Sequence, residues 1–162
     1  MLYLLDQYSV EKFGTPFLNL KYEVWKLGPV CQEVFAQLDC NESLTSLKDF
    51  IEVSFLQDGT SKIISKKDFS DDEFSQNDIN LLDLVVKSFK NDTANKLVNL
   101  THVKGGLWYD LALKNDLLES FENEFRSTSN IEIDFSELLK NNSTKLNLYN
   151  DYLEFDKFSK SF

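Results

Sequence analysis

The stretch IEVSFLQDGTSKIISK at residues 51–66, followed by SQNDINLLDLVVKSF at residues 75–89, sets two structural periods side by side. Ile51, Val53 and Phe55 alternate with polar residues, Asp58-Gly59 is a favoured tight-turn pair, and Lys62, Ile63 and Ile64 resume extended chain. That pattern predicts a β-hairpin. In the second stretch Ser75 stands three residues before Asp78, a capping-box spacing with Asp in place of Glu, and Ile79, Leu82, Val86 and Phe89 form a helical stripe. The fold class is therefore mainly α (α+β): a helical domain carrying a small β-hairpin.

Helical signals dominate on both sides of this pair. Downstream, Thr93 is placed to cap a helix carrying Ala94, Leu97, Val98 and Thr101, which runs out near Gly105-Gly106. A further helix is expected over residues 109–125, a polar break at 127–130, a short helix from Ser136 to Lys140 and a last one from Leu146 to Phe158. Upstream, Met1, Leu4, Leu5 and Tyr8 recur at helical spacing, and Gly14 followed by Pro16 supplies a stop. Leu18, Leu20, Tyr22 and Val24 alternate, as in extended chain. Pro29, with no N–H and a fixed φ, is placed as the first residue of a helix with the apolar face Val30, Val34, Phe35 and Leu38, entered through Gly28.

The totals bound what such a chain can do. Its 162 residues suit one domain, 1–162, with a single core, and no repeat or linker divides them. A net charge of −10 argues against non-specific nucleic-acid binding, which needs lysine and arginine to displace counterions, and could steer a basic protein partner. The apolar opening, Met1 to Leu5, is far too short to cross a bilayer, so no membrane contact is expected. Cys31 and Cys40 read as free thiols, and with no signal peptide ahead of them the reducing cytoplasm is the expected compartment.

Reactive constellations are sparse. No G-x-S-x-G elbow, Walker loop, dinucleotide fingerprint, H-E-x-x-H helix or paired C-x-x-C occurs, so neither cofactor nor catalysis is expected. The single histidine, His102, could serve as a general base, a metal ligand or a structural hydrogen-bonding group. A helix-end role beside Trp108 fits it best, because no local nucleophile or ligand set accompanies it. Asp71-Asp72-Glu73 reads as solvated charge and not a metal site. Phe17, Tyr22 and Trp25 lack the basic stripe that base stacking would need and read as packing residues.

Two runs of residues, in order, carry a family resemblance. The first is Leu2-Tyr3-Leu4-Leu5-Asp6, then Tyr8 to Pro16, then Val24-Trp25-Lys26-Leu27-Gly28-Pro29-Val30 with Glu33-Val34-Phe35. The second is Leu97-Val98-Asn99-Leu100-Thr101-His102 with Trp108 downstream. Together they resemble the Panacea antitoxin domain over about two thirds of the chain, Leu2 to Trp108. The resemblance implies a mainly helical bacterial or phage-associated domain whose members in many cases neutralise a cognate protein toxin by direct contact. Other members resemble proteolytic adaptors or phage-associated interaction proteins. A His102-dependent hydrolase is the rival from another class.

The resemblance nominates Tyr22, Trp25, Gly28, Pro29, Val30, Leu100, Thr101, His102 and Trp108 as signature or partner-binding positions, mostly architectural. Gly28-Pro29 would set a turn, and His102 would tie a helix end to the facing segment. Met1 stands where family members carry a preceding helix. Without that helix, a stripe at Leu4, Leu5 and Tyr8 is expected to be exposed and to favour docking of a partner or a second copy. The stretch after Trp108 departs most from the family and is the expected seat of partner specificity.

Overall fold

The computed structural model describes residues 1–39, 46–56 and 61–161. Cys40 and the Asp58-Gly59 turn lie outside the described residues. Among those described, seven α-helices and two two-stranded antiparallel sheets occur. In chain order they are α1 (Leu2–Phe13), β1 (Glu23–Trp25), β2 (Gly28–Val30), α2 (Gln32–Asp39), β3 (Ile51–Phe55), β4 (Ser61–Ser65), α3 (Gln76–Phe89), α4 (Ala94–Thr101), α5 (Leu107–Lys114) and α6 (Leu117–Glu122). A 3₁₀ helix (Phe135–Leu139) and α7 (Ser143–Ser159) complete the chain. The mainly α fold with small β elements is as the sequence predicts.

The local signals act where they stand. Gly14 ends α1 with φ +82, a conformation open to glycine, and its N–H bonds back to Val10 O. Ser75 and Asp78 close a reciprocal capping box on α3, and Thr93 caps α4 through the N–H of Lys96. β3 and β4 pair from Ile51↔Ser65 to Phe55↔Ser61, the hairpin expected at 51–66.

Five expectations are corrected. Pro29 does not start a helix: Gly28–Val30 is a strand, turned back on β1 through Lys26-Leu27, and α2 begins at Gln32. Pro29 stands opposite Val24, whose N–H points outward to Ile131 O (2.9 Å), so the missing proline N–H costs no bond between the two strands. The Leu18–Val24 alternation likewise yields strand only from Glu23. The helix expected over 109–125 is two helices, broken at Asp116 with φ +55, a region that Asn and Asp enter more readily than other side chains.

The other two corrections concern α1 and α3. The buried face of α3 is Leu81 and Val85, with Leu82 and Phe89 partly buried, while Val86 is 46% exposed. This face lies over α1, where Leu5 joins Leu81 and Val85 in one cluster and Tyr8 meets Phe89 with ring centroids 6.1 Å apart. The stripe expected to be bare is covered: Leu5 is buried under α3 and Leu4 in the main core. Burial of each such side chain stabilises the fold by about 1.5–3 kcal/mol, which is why α3 seats there.

The main core joins the beginning of the chain to its last third. Tyr3, Val10, Tyr22, Val24, Trp108, Ala112, Phe121, Ile133, Phe135, Leu139 and Tyr149 form one cluster. Tyr3 packs edge-on to Tyr22 (5.4 Å) and stacks on Phe135 (5.5 Å), so residues far apart in sequence meet around the first hairpin.

Candidate functional site

The β1–β2 hairpin is where the nominated residues converge. Trp108 is buried, and its indole Nε1 donates to Trp25 O at 2.9 Å. His102, the residue that ends α4, places Nε2 3.1 Å from Lys26 O and Nδ1 2.7 Å from Val98 O. The Thr101 hydroxyl donates to Val98 O (2.9 Å) and lies 3.2 Å from His102 Nδ1. The His102 and Trp108 rings are 3.5 Å apart between centroids, and Trp108 stacks in turn on Phe121 at 6.1 Å. One tight turn of chain is thus gripped by the end of α4 and the start of α5.

Glycine is required at position 28 for two separate reasons. Its φ is +117, and a Cβ there would meet Thr101 Oγ1 at 3.1 Å. The close approach of β2 to α4 depends on that missing side chain.

On the opposite edge, β1 is bound by a segment the sequence marks only as a polar break. Lys26 N donates to Ser127 O (2.8 Å), Val24 N to Ile131 O (2.9 Å) and Ile133 N to Tyr22 O (2.8 Å), while Ser129 Oγ donates to Val24 O at 2.7 Å. Residues 127–133 therefore complete the small sheet from beyond the family-like region. Sequence periodicity cannot show this, because the contacts are backbone bonds made by an irregular strand.

Asp6 is a second anchor that residue reading passed over. It is fully buried in α1 and accepts from the N–H groups of Leu18, Asn19 (3.3 Å) and Leu20 (3.4 Å) and from the Tyr22 hydroxyl (2.9 Å). A buried carboxylate needs such donors to offset its desolvation. Burial, and then the adjacent Asp6 charge, push the Tyr22 hydroxyl well above the ordinary phenol range, so it remains a donor. The available signal was an acid set in the apolar run Tyr3-Leu4-Leu5-Asp6.

The structure separates the nominated residues into four groups. Trp25, Gly28, Thr101, His102 and Trp108 form the clamp, and Tyr22 belongs to the core and the Asp6 anchor. Pro29 and Val30 lie along β2, half-buried. Leu100 is 40% exposed and takes no part in the clamp.

The outer face of the hairpin is open. Trp25, Leu27, Val30 and Phe35, with Lys26, Ser127 and Thr128, line a cleft of about 640 Å³. Trp25 and Phe35 meet edge to face at 5.2 Å, and the indole Nε1 of Trp25 donates to Glu23 Oε2 at 2.9 Å. Leu27, at the tip, is 74% exposed. Chemically this is a surface for apolar contact.

Both ring nitrogens of His102 face backbone carbonyls, and no carboxylate contacts the ring among the described residues. Asp71, Asp72 and Glu73 are exposed, and among the described residues no group of three or more metal-type ligands comes together. Cys31 is buried and free, and no described helix is long and apolar enough to cross a membrane.

A family model described as "Antitoxin SocA-like, Panacea domain" matches residues 1–109. The match covers α1 through Tyr109 and so takes in the whole clamp, but not residues 127–133 that close the sheet. No curated protein and no solved structure matches the chain.

Proposed function

The chain belongs to the antitoxin SocA-like, Panacea-domain family, and on that premise we propose that it neutralises a cognate protein toxin by direct contact, with no reaction of its own. Its classification as antitoxin-like rests on the match over residues 1–109. One observation carries the step to a contact mechanism. The family-matched polar groups, those of Trp108, His102 and Thr101, are spent on the chain's own backbone, while apolar Trp25, Val30 and Phe35 open outward.

A hydrolase built on His102 would need a ring nitrogen free to take a proton from a substrate or nucleophile. The placement of both nitrogens against backbone carbonyls, Val98 O and Lys26 O, supports the contact reading over that one. Occlusion by a few buried apolar anchors would supply affinity, and the net charge of −10 would speed association with a basic partner.

Co-expression with the product of the neighbouring reading frame tests the reading. The expected result is growth arrest by the neighbour alone, growth restored when this chain is present, and co-purification of the two. A neighbour that is toxic and equally toxic in the presence of this chain contradicts it.

A further inference from the structure

The large cleft on the hairpin is one part of a longer apolar surface. A second cleft, of about 200 Å³, shares Val30 and Phe35 with it and extends past Pro29 to Met1 and Leu38. A third, of about 310 Å³, shares Leu27 with the first and Pro29 with the second, and reaches Leu97 and Val98 on α4. The three meet around β2, so the strand that the clamp fixes is also the ridge between them. Met1, Leu2, Leu27 and Phe35 are exposed along this surface, at 46%, 42%, 74% and 41%. A row of adjoining apolar clefts takes the successive side chains of one face of a helix better than it takes a flat surface.

Charge indicates the other face of the occupant. Beside Trp25 and α2 a further cleft is lined by Glu23, Glu33 and Glu132 with Lys21 and Lys160. Glu132 is paired with Lys21 at 3.7 Å, and across the hairpin Glu124 is paired with Lys26 at 3.1 Å. The rim is thus mixed with a carboxylate excess, on a chain that carries 27 acidic against 17 basic side chains. Basic groups on an incoming helix would meet this rim, and the field of the whole molecule would draw them in.

We propose that the β2 ridge and its three clefts dock a basic amphipathic helix of the partner protein, with aliphatic side chains entering beside Leu27, Val30 and Phe35 and lysine or arginine facing Glu23 and Glu33. The proposal rests on the contact reading above and names the surface that reading would use. The clamp of His102 and Trp108 then acts as a positioning device: it holds the β1–β2 turn where Leu27 and Trp25 can form the walls. Ser127 and Thr128, outside the family match, line the same wall and are placed to adjust which helix fits.

The test uses the full chain and a synthetic leucine–lysine amphipathic helix as probe, with a serine–lysine peptide of equal charge as comparison. Tryptophan emission reports on the cleft through Trp25, since Trp108 is buried. The proposal expects the leucine–lysine helix to shift that emission and to bind at least about tenfold more tightly than the serine–lysine peptide. The double variant Leu27→Asp, Phe35→Asp should lose about tenfold or more in affinity, and Glu23→Lys, Glu33→Lys should weaken binding and flatten its salt dependence. Phe69→Asp is the control. That ring is 69% exposed and stacks on Phe74, which lines a groove with Phe13 and Pro16 at the far end of α1 from Met1. It should bind as the unmodified chain does.

Undiminished binding in the Leu27, Phe35 variant, equal binding of the two peptides, or no binding at all overturns the proposal. Growth assays with the neighbouring gene separate the two claims. If the unmodified chain binds the helix in the cleft but fails to rescue growth, the toxin reading falls and the surface stands. If Leu27→Asp, Phe35→Asp rescues as well as the unmodified chain, the surface falls and the toxin reading stands.

Discussion

β1 and β2 pair only three residues with three, yet their hairpin is held by α4, α5 and residues 127–133, whereas β3 and β4 pair five with five and every residue of β4 is exposed. Ladder length and anchorage run in opposite directions here. A two-stranded hairpin alone is marginal in water, so its fixity depends on what covers its faces and edges. The first has Val24 at 0% exposure, Trp108 and His102 on its turn carbonyls, and a third strand-like edge. The second has Phe55 and Ile63 more than half exposed. The shorter hairpin can therefore serve as a fixed ridge in a binding surface, and the longer one adds little to the core.

Breaking the first hairpin should be costly. Trp108→Ala removes a buried ring, its bond to Trp25 O and its stacking on His102 and Phe121. We expect a loss of about 3–5 kcal/mol in unfolding free energy, read from urea denaturation. A loss below about 1 kcal/mol in that titration means that the hairpin stands without its clamp.

The second hairpin should be far more tolerant. Ile63→Ser removes the cross-strand partner of Val53 on an exposed strand. The expected change is below about 1 kcal/mol, and thermal unfolding by circular dichroism should barely move. A change as large as that of Trp108→Ala erases the contrast between the two regions.

Much of this contrast was not legible in the residues, for physical reasons. Caps and stops act over three or four residues, so Gly14, Ser75 with Asp78 and Thr93 could be read directly and all behave as read. Alternation and a tight-turn pair likewise disclosed β3 and β4. Pro29 could not be settled locally, because its fixed φ suits a helix start and a strand equally. What decides it is Ile131, which takes the outward N–H of Val24 about a hundred positions away along the chain. The apolar period through residues 109–125 runs on past Asn115-Asp116, where the backbone turns, so the stripe concealed the break.

The clamp was legible in part. The residues that carry the family resemblance named Trp25, Gly28, Thr101, His102 and Trp108, and the role expected of His102, tying a helix end to the facing segment, is the contact with Lys26 O. Leu100 was named with them only because it lies in the same run; it is 40% exposed. Residues 127–133 escaped notice because their partners are backbone groups, which carry no residue-type signal, and Asp6 because all but one of its donors, the Tyr22 hydroxyl, are backbone N–H groups.

The imidazole of His102 is the point on which a contact protein and an enzyme differ most, and the variant His102→Ala addresses it directly. Its unfolding free energy, measured together with amide hydrogen exchange at Val24 and Lys26, should show a loss of about 1–3 kcal/mol and faster exchange at both amides, as whichever of the Lys26 and Val98 carbonyls accepts the ring N–H loses its donor and the ring's packing on Trp108 is removed. Unchanged stability with both amides as protected as before contradicts the account, because it would leave that side chain without a structural task.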